Sequence, residues 1–222
     1  MRVGQFAAPQ YGVYGRWNLT NTSDTSGNGL TLANYNTVGF SLAIIDNGAG
    51  PFNPGKALYN TGIDISLGDA TGFAIHCFFK VNSLPETTGN QRVFDIRSTT
   101  GQSRQCICSL AYDGVNLNHY ISCMGSRFNW PTSKPMVTGK WYSLWFSYVS
   151  PESKIYIDGV LGETIGNYTT TTTSNRLILG ANAYSSPSEY LYGMIDEFTF
   201  FNIAKSDSYI RKWESYIHGR EF

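Results

Sequence analysis

The sequence contains few charged residues and no excess of either sign. Charged residues make up 14% of the 222 positions, against about 25% in an average soluble protein. The 16 Lys and Arg residues balance the 16 Asp and Glu residues. This balance excludes nucleic-acid binding through bulk positive charge, and it excludes an acidic disordered tail. We therefore expect no nucleic-acid partner.

Long apolar runs are also missing. No window of the sequence approaches the ~18 consecutive apolar residues that indicate a membrane-spanning helix, so we expect no membrane insertion. The opening segment 1–17 has no continuous apolar stretch, which is not the pattern of a secretory signal.

Cysteine is scarce, and its spacing does not predict a zinc site. The four residues are Cys77, Cys106, Cys108 and Cys123, with no CxxC or Cys/His pattern. Cys106 and Cys108 lie two apart on one predicted strand and face the same way, which is a poor geometry for a disulfide between them. We expect buried reduced thiols, with a Cys77–Cys123 disulfide as the alternative.

Glycine and aromatic residues are abundant. The chain has 23 Gly and 15% aromatic residues, and Thr, Ser and Asn fill much of the rest. Aromatic and β-branched residues suit strands, whereas Gly and Asn supply turns. Predicted strands follow one another at short intervals, with turn-rich segments between them and no repeat or linker. This pattern indicates one all-β domain.

Alternation assigns the faces of the two clearest predicted strands, 72–81 and 141–149. One face of each is expected to point into the core: Phe73, Ile75, Cys77, Phe79 and Val81 in the first strand, and Tyr142, Leu144, Phe146 and Tyr148 in the second. The other face, which includes His76 and Trp145, is expected to be half-open. Two antiparallel sheets packed face to face, as in a jelly roll, would bury the strands in this way.

The period changes near the C-terminus. Ser206 or Asp207 can cap a helix, and an apolar stripe follows at helical spacing: Tyr209, Ile210, Trp213, Tyr216 and Ile217. We expect a short helix docked on the edge of the sandwich. The alternative is that Trp213 and Tyr216 face a partner subunit.

Several segments occur in an order that resembles a known family. GKWYSLWFSYVSPESKIYIDGVLGE (139–163), RLILGAN (176–182) and YLYGMIDEFTFFN (190–202) are similar to the laminin-G-like branch of the concanavalin A-like lectin/glucanase superfamily, a pentraxin-type jelly roll. The opening strands of this family are matched by Trp17, segment 19–32 and segment 55–67. The resemblance implies a two-sheet antiparallel jelly-roll sandwich over residues 17–205. An N-terminal arm (1–16) precedes this domain. The C-terminal helix segment (206–222) follows it and is expected to pack on the domain or on a partner.

The resemblance also implies a calcium site. Members of the family often hold one calcium ion between an early loop and an aspartate such as Asp196. Alternation places Asp196 on the more apolar side of its strand, with Met194, Phe198 and Phe200, where an ionised carboxylate needs compensation. The early loop offers Asp24 and Asn28 as oxygen ligands. In the alternative interpretation, Asp196 accepts backbone N–H bonds and Asp24 begins an Asx turn.

Sugars are held by aromatic faces together with planar polar side chains. The candidate aromatic platforms in predicted loops are Trp130 and Tyr184, and Asn129, Asn182 and Arg127 lie beside them in the sequence. Trp141 and Trp145 are further candidates, although packing is the more common role of such residues.

The sequence does not predict an enzyme. The E-x-D-x-E strand of related glycoside hydrolases is missing, and its nearest match, Asp196-Glu197, is expected to point to opposite sides of a strand. The three histidines are scattered, and no nucleophile motif accompanies them.

We therefore expect a non-catalytic, lectin-like adhesion module that binds a cell-surface glycan. The low charge and the Gly-, Thr-, Asn- and Tyr-rich composition suit a virion surface protein such as a phage fibre, spike or capsid-decoration subunit used in host attachment. Its partners would then be other virion proteins or copies of itself, and an extracellular location is the alternative. The second hypothesis is a structural virion subunit that uses the fold for assembly without binding a glycan.

Overall fold

The computed structural model of the protein describes residues 12–52, 55–63, 65–66, 72–85, 90–97, 104–111, 120–123, 126–129, 136–166, 173–174, 176–182 and 188–218. Only the backbone is described at 65–66, 104–105, 111, 120–123, 126–129, 173–174 and 218. The strands and the helix within these residues are, in chain order, β1 Val13–Trp17, β2 Ala33–Tyr35, β3 Phe40–Leu42, β4 Asn47–Ala49, β5 Ala57–Asn60, β6 Ile65–Ser66, β7 Gly72–Val81, β8 Asn90–Arg97, β9 Arg104–Ala111, β10 Tyr120–Cys123, β11 Ser126–Asn129, β12 Trp141–Val149, β13 Glu152–Ile157, β14 Val160–Ile165, β15 Thr173–Ser174, β16 Arg176–Leu179, β17 Gly193–Phe201 and α1 Asp207–His218.

The described strands form two large sheets and one small pair. Sheet A has the order β14–β13–β12–β7–β17–β4–β3, and β1 also pairs with β17. Sheet B has the order β11–β10–β9–β8–β16–β5–β2, and β6 pairs with β15. Every pairing among these strands is antiparallel. The predicted two-sheet antiparallel sandwich is confirmed.

The core lies between the two sheets and is rich in aromatic rings. The inward faces predicted for β7 and β12 are confirmed, since every residue that was predicted to lie on those two faces belongs to the main buried cluster. The ring of Phe73 lies 5.5 Å from that of Phe146 and 5.8 Å from that of Phe200, between ring centroids. Full burial of each such side chain contributes roughly 1.5–3 kcal/mol, so these rings hold the sheets together.

Strand β1 crosses the predicted boundary between the N-terminal arm (1–16) and the sandwich (17–205). Gly15 is opposite Phe200 and Trp17 is opposite Phe198. The Trp17 indole N–H donates to the carbonyl of Leu30 at 2.8 Å. The sandwich therefore includes residues 13–16, which sequence reasoning missed because a glycine interrupts this short strand.

Helix α1 packs on the outer face of sheet A. The Ser206 hydroxyl accepts the backbone N–H of Tyr209 at 3.2 Å, as the N-cap prediction requires. Ile210 is buried and Trp213 is partly buried against this face, whereas Tyr216 is 49% exposed. The helix is thus docked on the domain's own sheet. Among the described residues, no helix combines the length and the apolar character needed to cross a membrane.

The helix covers the face of sheet A that the sequence predicts to be half-open. His76 is 1% exposed and Trp145 is 0% exposed. The His76 ring lies 4.3 Å from the Trp145 ring and 5.6 Å from the Trp213 ring of the helix. The half-open prediction is wrong for these two residues, because strand alternation alone does not reveal what a distant helix covers.

The cysteines differ in their bonding state. Cys77 and Cys108 are free and buried in the core, as predicted. Cys106 is disulfide-bonded, which corrects the expectation of reduced thiols at that position. In the strand register Cys123 is directly opposite Cys106. The alternative Cys77–Cys123 disulfide is not formed, because Cys77 is free.

Candidate functional site

The predicted sugar-binding residues fall on sheet B and on the segment that follows β16. Trp130 and Tyr184 lie outside the described residues. Arg127 and Asn129 lie on the edge strand β11, of which the backbone is described. Asn182 follows β16 closely and is 2% exposed.

Strand pairing places position 127 in one cross-strand row of sheet B. Residues directly opposite each other share a face of a sheet. Leu177 and Leu179 belong to the core, so the position between them lies on the outer face. The row on that outer face consists, in order, of Arg127, Ser122, Ile107, Asp95, Ile178 and Tyr59.

A buried ion pair occupies the middle of this outer face. Arg97 donates from Nε and Nη2 to the two carboxylate oxygens of Asp95. The exposed fractions of the Arg97 and Asp95 side chains are 3% and 0%. Bidentate pairing offsets much of the desolvation cost of two buried charges. The outer face of sheet B is therefore polar at its centre.

Asn182 orders the base of the segment in which Tyr184 occurs. Its backbone N–H donates to the Ser188 carbonyl at 2.9 Å, and its Oδ1 accepts the Ser188 N–H at 3.1 Å. Its Nδ2 donates to the Ser188 hydroxyl at 2.8 Å. Gly180, which precedes this base, has a φ of +78°, and a Cβ there would collide with the ring of Phe52. Asn182 thus holds the two ends of the segment together.

Glu189 is the centre of a polar cluster beside Asn182. Its carboxylate accepts hydrogen bonds from Arg92 Nε at 2.6 Å, from Asn90 Nδ2 at 3.1 Å and from Asn182 Nδ2 at 3.2 Å. Burial raises the pKa of Glu189, but the Arg92 charge and these hydrogen bonds outweigh it, so the pKa lies below its ordinary value. Glu189 is therefore an ionised acceptor at neutral pH, and its side chain is 29% exposed.

Three tyrosines lie close to one another, and one of them, Tyr190, directly follows Glu189 in the chain. Tyr59 and Tyr190 are partly buried and pack on Ala57, Ile178 and Ala181. Tyr35, on the edge strand β2, is 37% exposed. Burial, together with the neighbouring Tyr35, raises the pKa of Tyr190. We call this group the Glu189 site; it consists of Tyr35, Tyr59, Asn90, Arg92, Glu189 and Tyr190.

The Glu189 site combines the two kinds of group that a sugar needs. Its tyrosines offer aromatic faces for CH patches, and its fixed carboxylate offers an acceptor for hydroxyls. Sequence reasoning found Asn182 but missed Glu189 and Arg92. The two residues are far apart in the chain and match no motif, so only the tertiary pairing of β8 with the segment before β17 reveals them.

The predicted metal ligands of the early loop have other partners. The two carboxylate oxygens of Asp24 accept the backbone N–H groups of Arg16 at 3.0 Å, Ser26 at 2.9 Å and Leu30 at 3.1 Å. Burial raises the pKa of Asp24, but these donors outweigh it and lower the pKa below its ordinary value. The Asn28 side chain donates to the Tyr14 carbonyl at 2.7 Å. Asp24 forms the Asx turn of the alternative interpretation.

Asp196 does not lie on the predicted face of its strand. A β-bulge between Asp196 and Thr199, with Glu197 at a φ of +48°, shifts the alternation by one residue. Phe198 and Phe200 therefore point into the core, while Asp196 is excluded from it. Asp196 Oδ2 accepts the backbone N–H of Ile45 at 2.8 Å. Burial raises the pKa of Asp196 to about 8.

Both candidate calcium ligands already accept hydrogen bonds from the backbone. The Asp24 oxygens face N–H donors, which a cation would have to displace, and Asp196 Oδ2 faces the Ile45 N–H. Within the described part of the chain, no group of three or more His, Cys, Asp or Glu side chains could hold a metal ion. Calcium binding stays a prediction from the resemblance.

The Asp196-Glu197 pair is held by structural contacts. Glu197 accepts two hydrogen bonds from the Arg16 guanidinium, at 3.2 Å from Nε and 2.9 Å from Nη2. Burial raises the pKa of Glu197, although the charge of Arg16 works against this rise. The Glu197 side chain is 5% exposed in this ion pair. The expectation of a non-catalytic protein stays a prediction.

The chain is similar to one protein family in sequence. The family profile described as the concanavalin A-like lectin/glucanases superfamily matches residues 55–211, which is more than half of the chain. A search of curated proteins finds no match.

Solved structures share the fold. One is domain 4 of an extracellular arabinanase from Geobacillus stearothermophilus in complex with arabinotriose, with 21% identity, a TM-score of 0.63 and coverage of 90% of this chain and 97% of that domain. Another is the binding domain of botulinum neurotoxin serotype D, with 13% identity, a TM-score of 0.70 and coverage of 95% of this chain and 52% of that one. A third, the binding domain of botulinum neurotoxin DC in complex with rat synaptotagmin II, has 13% identity and a TM-score of 0.70, with coverage of 93% and 52%. The chain thus spans about half the length of the neurotoxin domains.

Proposed function

We propose that this chain, which belongs to the concanavalin A-like lectin/glucanases superfamily, binds carbohydrate at the Glu189 site without cleaving it. The observation that carries the proposal is the fixed Glu189 carboxylate, which directly precedes Tyr190 in the chain, together with the packing of Tyr190 and Tyr59 on one cluster near the exposed Tyr35. The similarity to an arabinanase domain solved with arabinotriose is consistent with a carbohydrate ligand.

The sequence-predicted residues belong to the same proposal. Asn182 donates to Glu189 and fixes the ends of the segment that includes Tyr184. Arg127 lies in the same cross-strand row as Tyr59. We therefore propose Trp130, Asn129, Arg127 and Tyr184 as further sugar contacts.

Replacing Tyr35 with alanine is expected to weaken glycan binding at least about tenfold, the effect of losing roughly 1.4 kcal/mol at one aromatic contact. Tyr35 is on an exposed edge strand, so the change should leave the fold intact. Glu189→Gln should also weaken binding, because it removes the carboxylate charge. It also replaces one of the two oxygens that accept hydrogen bonds from Arg92 and Asn90. Affinity is measured by isothermal titration with the best ligand of a glycan array.

Tyr216→Ala is the matched control, because Tyr216 is an exposed tyrosine on α1, on the other sheet. It should bind like the wild type. Equal losses for Tyr35→Ala and Tyr216→Ala would remove the Glu189 site from the proposal.

Trp130→Ala and Tyr184→Ala, measured in the same way, test the sequence-predicted platforms. Titration with calcium and with chelator tests the calcium prediction, and the hydrogen bonds of Asp24 favour equal affinity in both.

We further propose that the protein is displayed on a virion surface, where it attaches to host glycans. The composition supports this location, since low charge and abundant Gly, Thr, Asn and Tyr suit fibre and decoration subunits. Antibodies against the purified protein should label intact particles in electron micrographs. Labelling of secreted material alone would favour the extracellular alternative. The assembly role would be favoured if intact particles contain the protein although the purified protein binds no glycan.

A further inference from the structure

The carboxylate of Glu189 is the more accessible half of its ion pair, and it is held in place from two directions. The backbone of Glu189 has a φ of +51°, a conformation that residues with a side chain rarely adopt. Its carbonyl accepts the backbone N–H of Arg92 at 2.9 Å, so the main chain and the side chain of Glu189 are both attached to β8. The exposed fraction of the Glu189 side chain is 29%, against 5% for Arg92. The carboxylate is therefore the charged group of this pair that a ligand reaches first.

The hydrogen bonds of Glu189 leave room for one more donor. An ionised carboxylate accepts about four hydrogen bonds, two at each oxygen. Oε2 accepts from Arg92 Nε at 2.6 Å and from Asn182 Nδ2 at 3.2 Å, which fills it. Oε1 accepts from Asn90 Nδ2 at 3.1 Å, and no second donor to it is found among the described residues. The remaining acceptor position is thus on Oε1.

A sugar hydroxyl can fill this position, whereas an ionised acid cannot. A hydroxyl has a proton to donate, but a carboxylate or a sulfate ester has only acceptor oxygens at neutral pH. Burial raises the pKa of Glu189, but the Arg92 charge and the hydrogen bonds keep it below its ordinary value, so the carboxylate is ionised at neutral pH. An acid beside Oε1 would therefore bring two negative charges together, while the Arg92 charge is already paired.

We propose that the Glu189 site is specific for uncharged sugars and rejects uronates and sulfated sugars. This inference rests on the proposed function, to which it adds the chemical class of the ligand. One hydroxyl of the sugar donates to Oε1 of Glu189, and the sugar ring packs on the tyrosines of the site. The same carboxylate that binds the hydroxyl excludes the acid.

The test compares sugars that differ in charge. The two pairs are galactotriose with tri-galacturonate and mannotriose with tri-mannuronate, matched in linkage, so that each ring carries a hydroxymethyl group in one member and a carboxylate in the other. Arabinotriose is a further neutral probe. Isothermal titration of the full chain should show saturable binding of at least one neutral trisaccharide, and every acidic one should bind at least about tenfold more weakly. Only binding that Tyr35→Ala weakens is counted, which assigns it to the site.

The methyl esters of the two acids remove the charge from the ligand and leave the protein unchanged. Each ester keeps a carbonyl group on every ring, yet it should bind within about threefold of its neutral partner, because the repulsion by Glu189 is gone. Esters that bind as weakly as the free acids would overturn the proposal, since the acid would then be rejected for its shape. This measurement does not depend on the folding of a variant.

Glu189→Gln removes the charge from the protein, and Glu152→Gln is the matched control. Glu152 is on β13 of sheet A, and its side chain is 50% exposed. The preference for neutral over acidic sugar should fall at least about fivefold in Glu189→Gln and change less than about twofold in Glu152→Gln. An equal change in the two variants would overturn the proposal.

The outcomes separate this inference from the proposed function. Acidic and neutral sugars that bind equally tightly, both with losses in Tyr35→Ala, would overturn the specificity and leave carbohydrate binding at the Glu189 site standing. Neutral sugars that bind Tyr35→Ala as tightly as the wild type would overturn both, and so would the absence of binding by every neutral probe.

Discussion

Replacing Glu214 with alanine is expected to lower the free energy of unfolding by roughly 2–5 kcal/mol, at about 1–3 kcal/mol for each buried donor that loses its acceptor. Glu214 is 4% exposed on α1, and its Oε1 accepts the Trp145 indole N–H at 2.9 Å and the Ser143 hydroxyl. Alanine would leave both buried donors of sheet A without this acceptor. The loss is measured by urea denaturation at neutral pH, with the fluorescence of Trp145 and Trp213 reporting on the helix–sheet contact.

Two control variants show whether the carboxylate is responsible. Glu214→Gln keeps an acceptor oxygen and the stem of the side chain, so it should cost about 1 kcal/mol. Ser215→Ala changes the next residue, which is exposed, and should stay within about 0.5 kcal/mol of the wild type. A Glu214→Ala protein as stable as Ser215→Ala would contradict the importance of this contact for docking of α1.

His76→Gln is expected to change how stability depends on pH. Burial, followed by the charge of Arg16, lowers the pKa of His76 from 6.5 to about 3. Below pH 6.5 the unfolded chain therefore binds a proton that the folded chain does not. The contribution of neutral His76 to the free energy of unfolding is therefore complete above pH 6.5. It is lost at ~1.4 kcal/mol per pH unit as the pH falls below that value.

Glutamine cannot titrate, yet it can keep a hydrogen bond to Ser143, which lies 3.2 Å from His76 Nε2. The groups near His76 are the Ser143 hydroxyl, the rings of Phe78, Trp145 and Trp213, the Arg16 guanidinium and, through Ser143, the Glu214 carboxylate. The stability advantage of the wild type over His76→Gln should shrink by roughly 2–3 kcal/mol between pH 7 and 4.5. A pH-independent difference would show that His76 titrates alike in both states.

The sequence predicts the faces of β7 and β12 correctly because strand alternation is a local property. Phe73, Ile75 and Cys77 repeat with a period of two, and all three are buried between the sheets. The N-cap at Ser206 is equally local, and it is confirmed. The resemblance predicts the family, and a match over more than half the chain confirms it.

The predictions fail where a feature depends on distant parts of the chain. One extra residue at Glu197 moves Asp196 off its predicted face, and no residue type in that strand marks a bulge. His76 is buried only because α1 returns to cover it. The Glu189 site depends on an ion pair between Arg92 and Glu189, which are brought together by the fold. Tertiary contacts of this kind leave no periodic signal in the sequence.

Both outer faces of the sandwich carry fixed polar groups, but in different settings. On sheet B, the Glu189 carboxylate is paired with Arg92, and it directly precedes Tyr190, which is partly buried. On sheet A, the outer face serves to dock α1. Sugar binding is therefore expected to leave the helix–sheet contact of Glu214 unchanged, and the stability and binding variants should act independently.

The central claim is that sheet B binds carbohydrate at the Glu189 site. Its most direct test is binding of the folded, full-length protein to a broad array of glycans and bacterial polysaccharides, with the Tyr35→Ala protein measured in parallel. We predict saturable wild-type binding to one glycan class and at least a tenfold loss in the variant. Wild-type binding that the variant retains in full, or no binding of any glycan by folded protein, would contradict the claim.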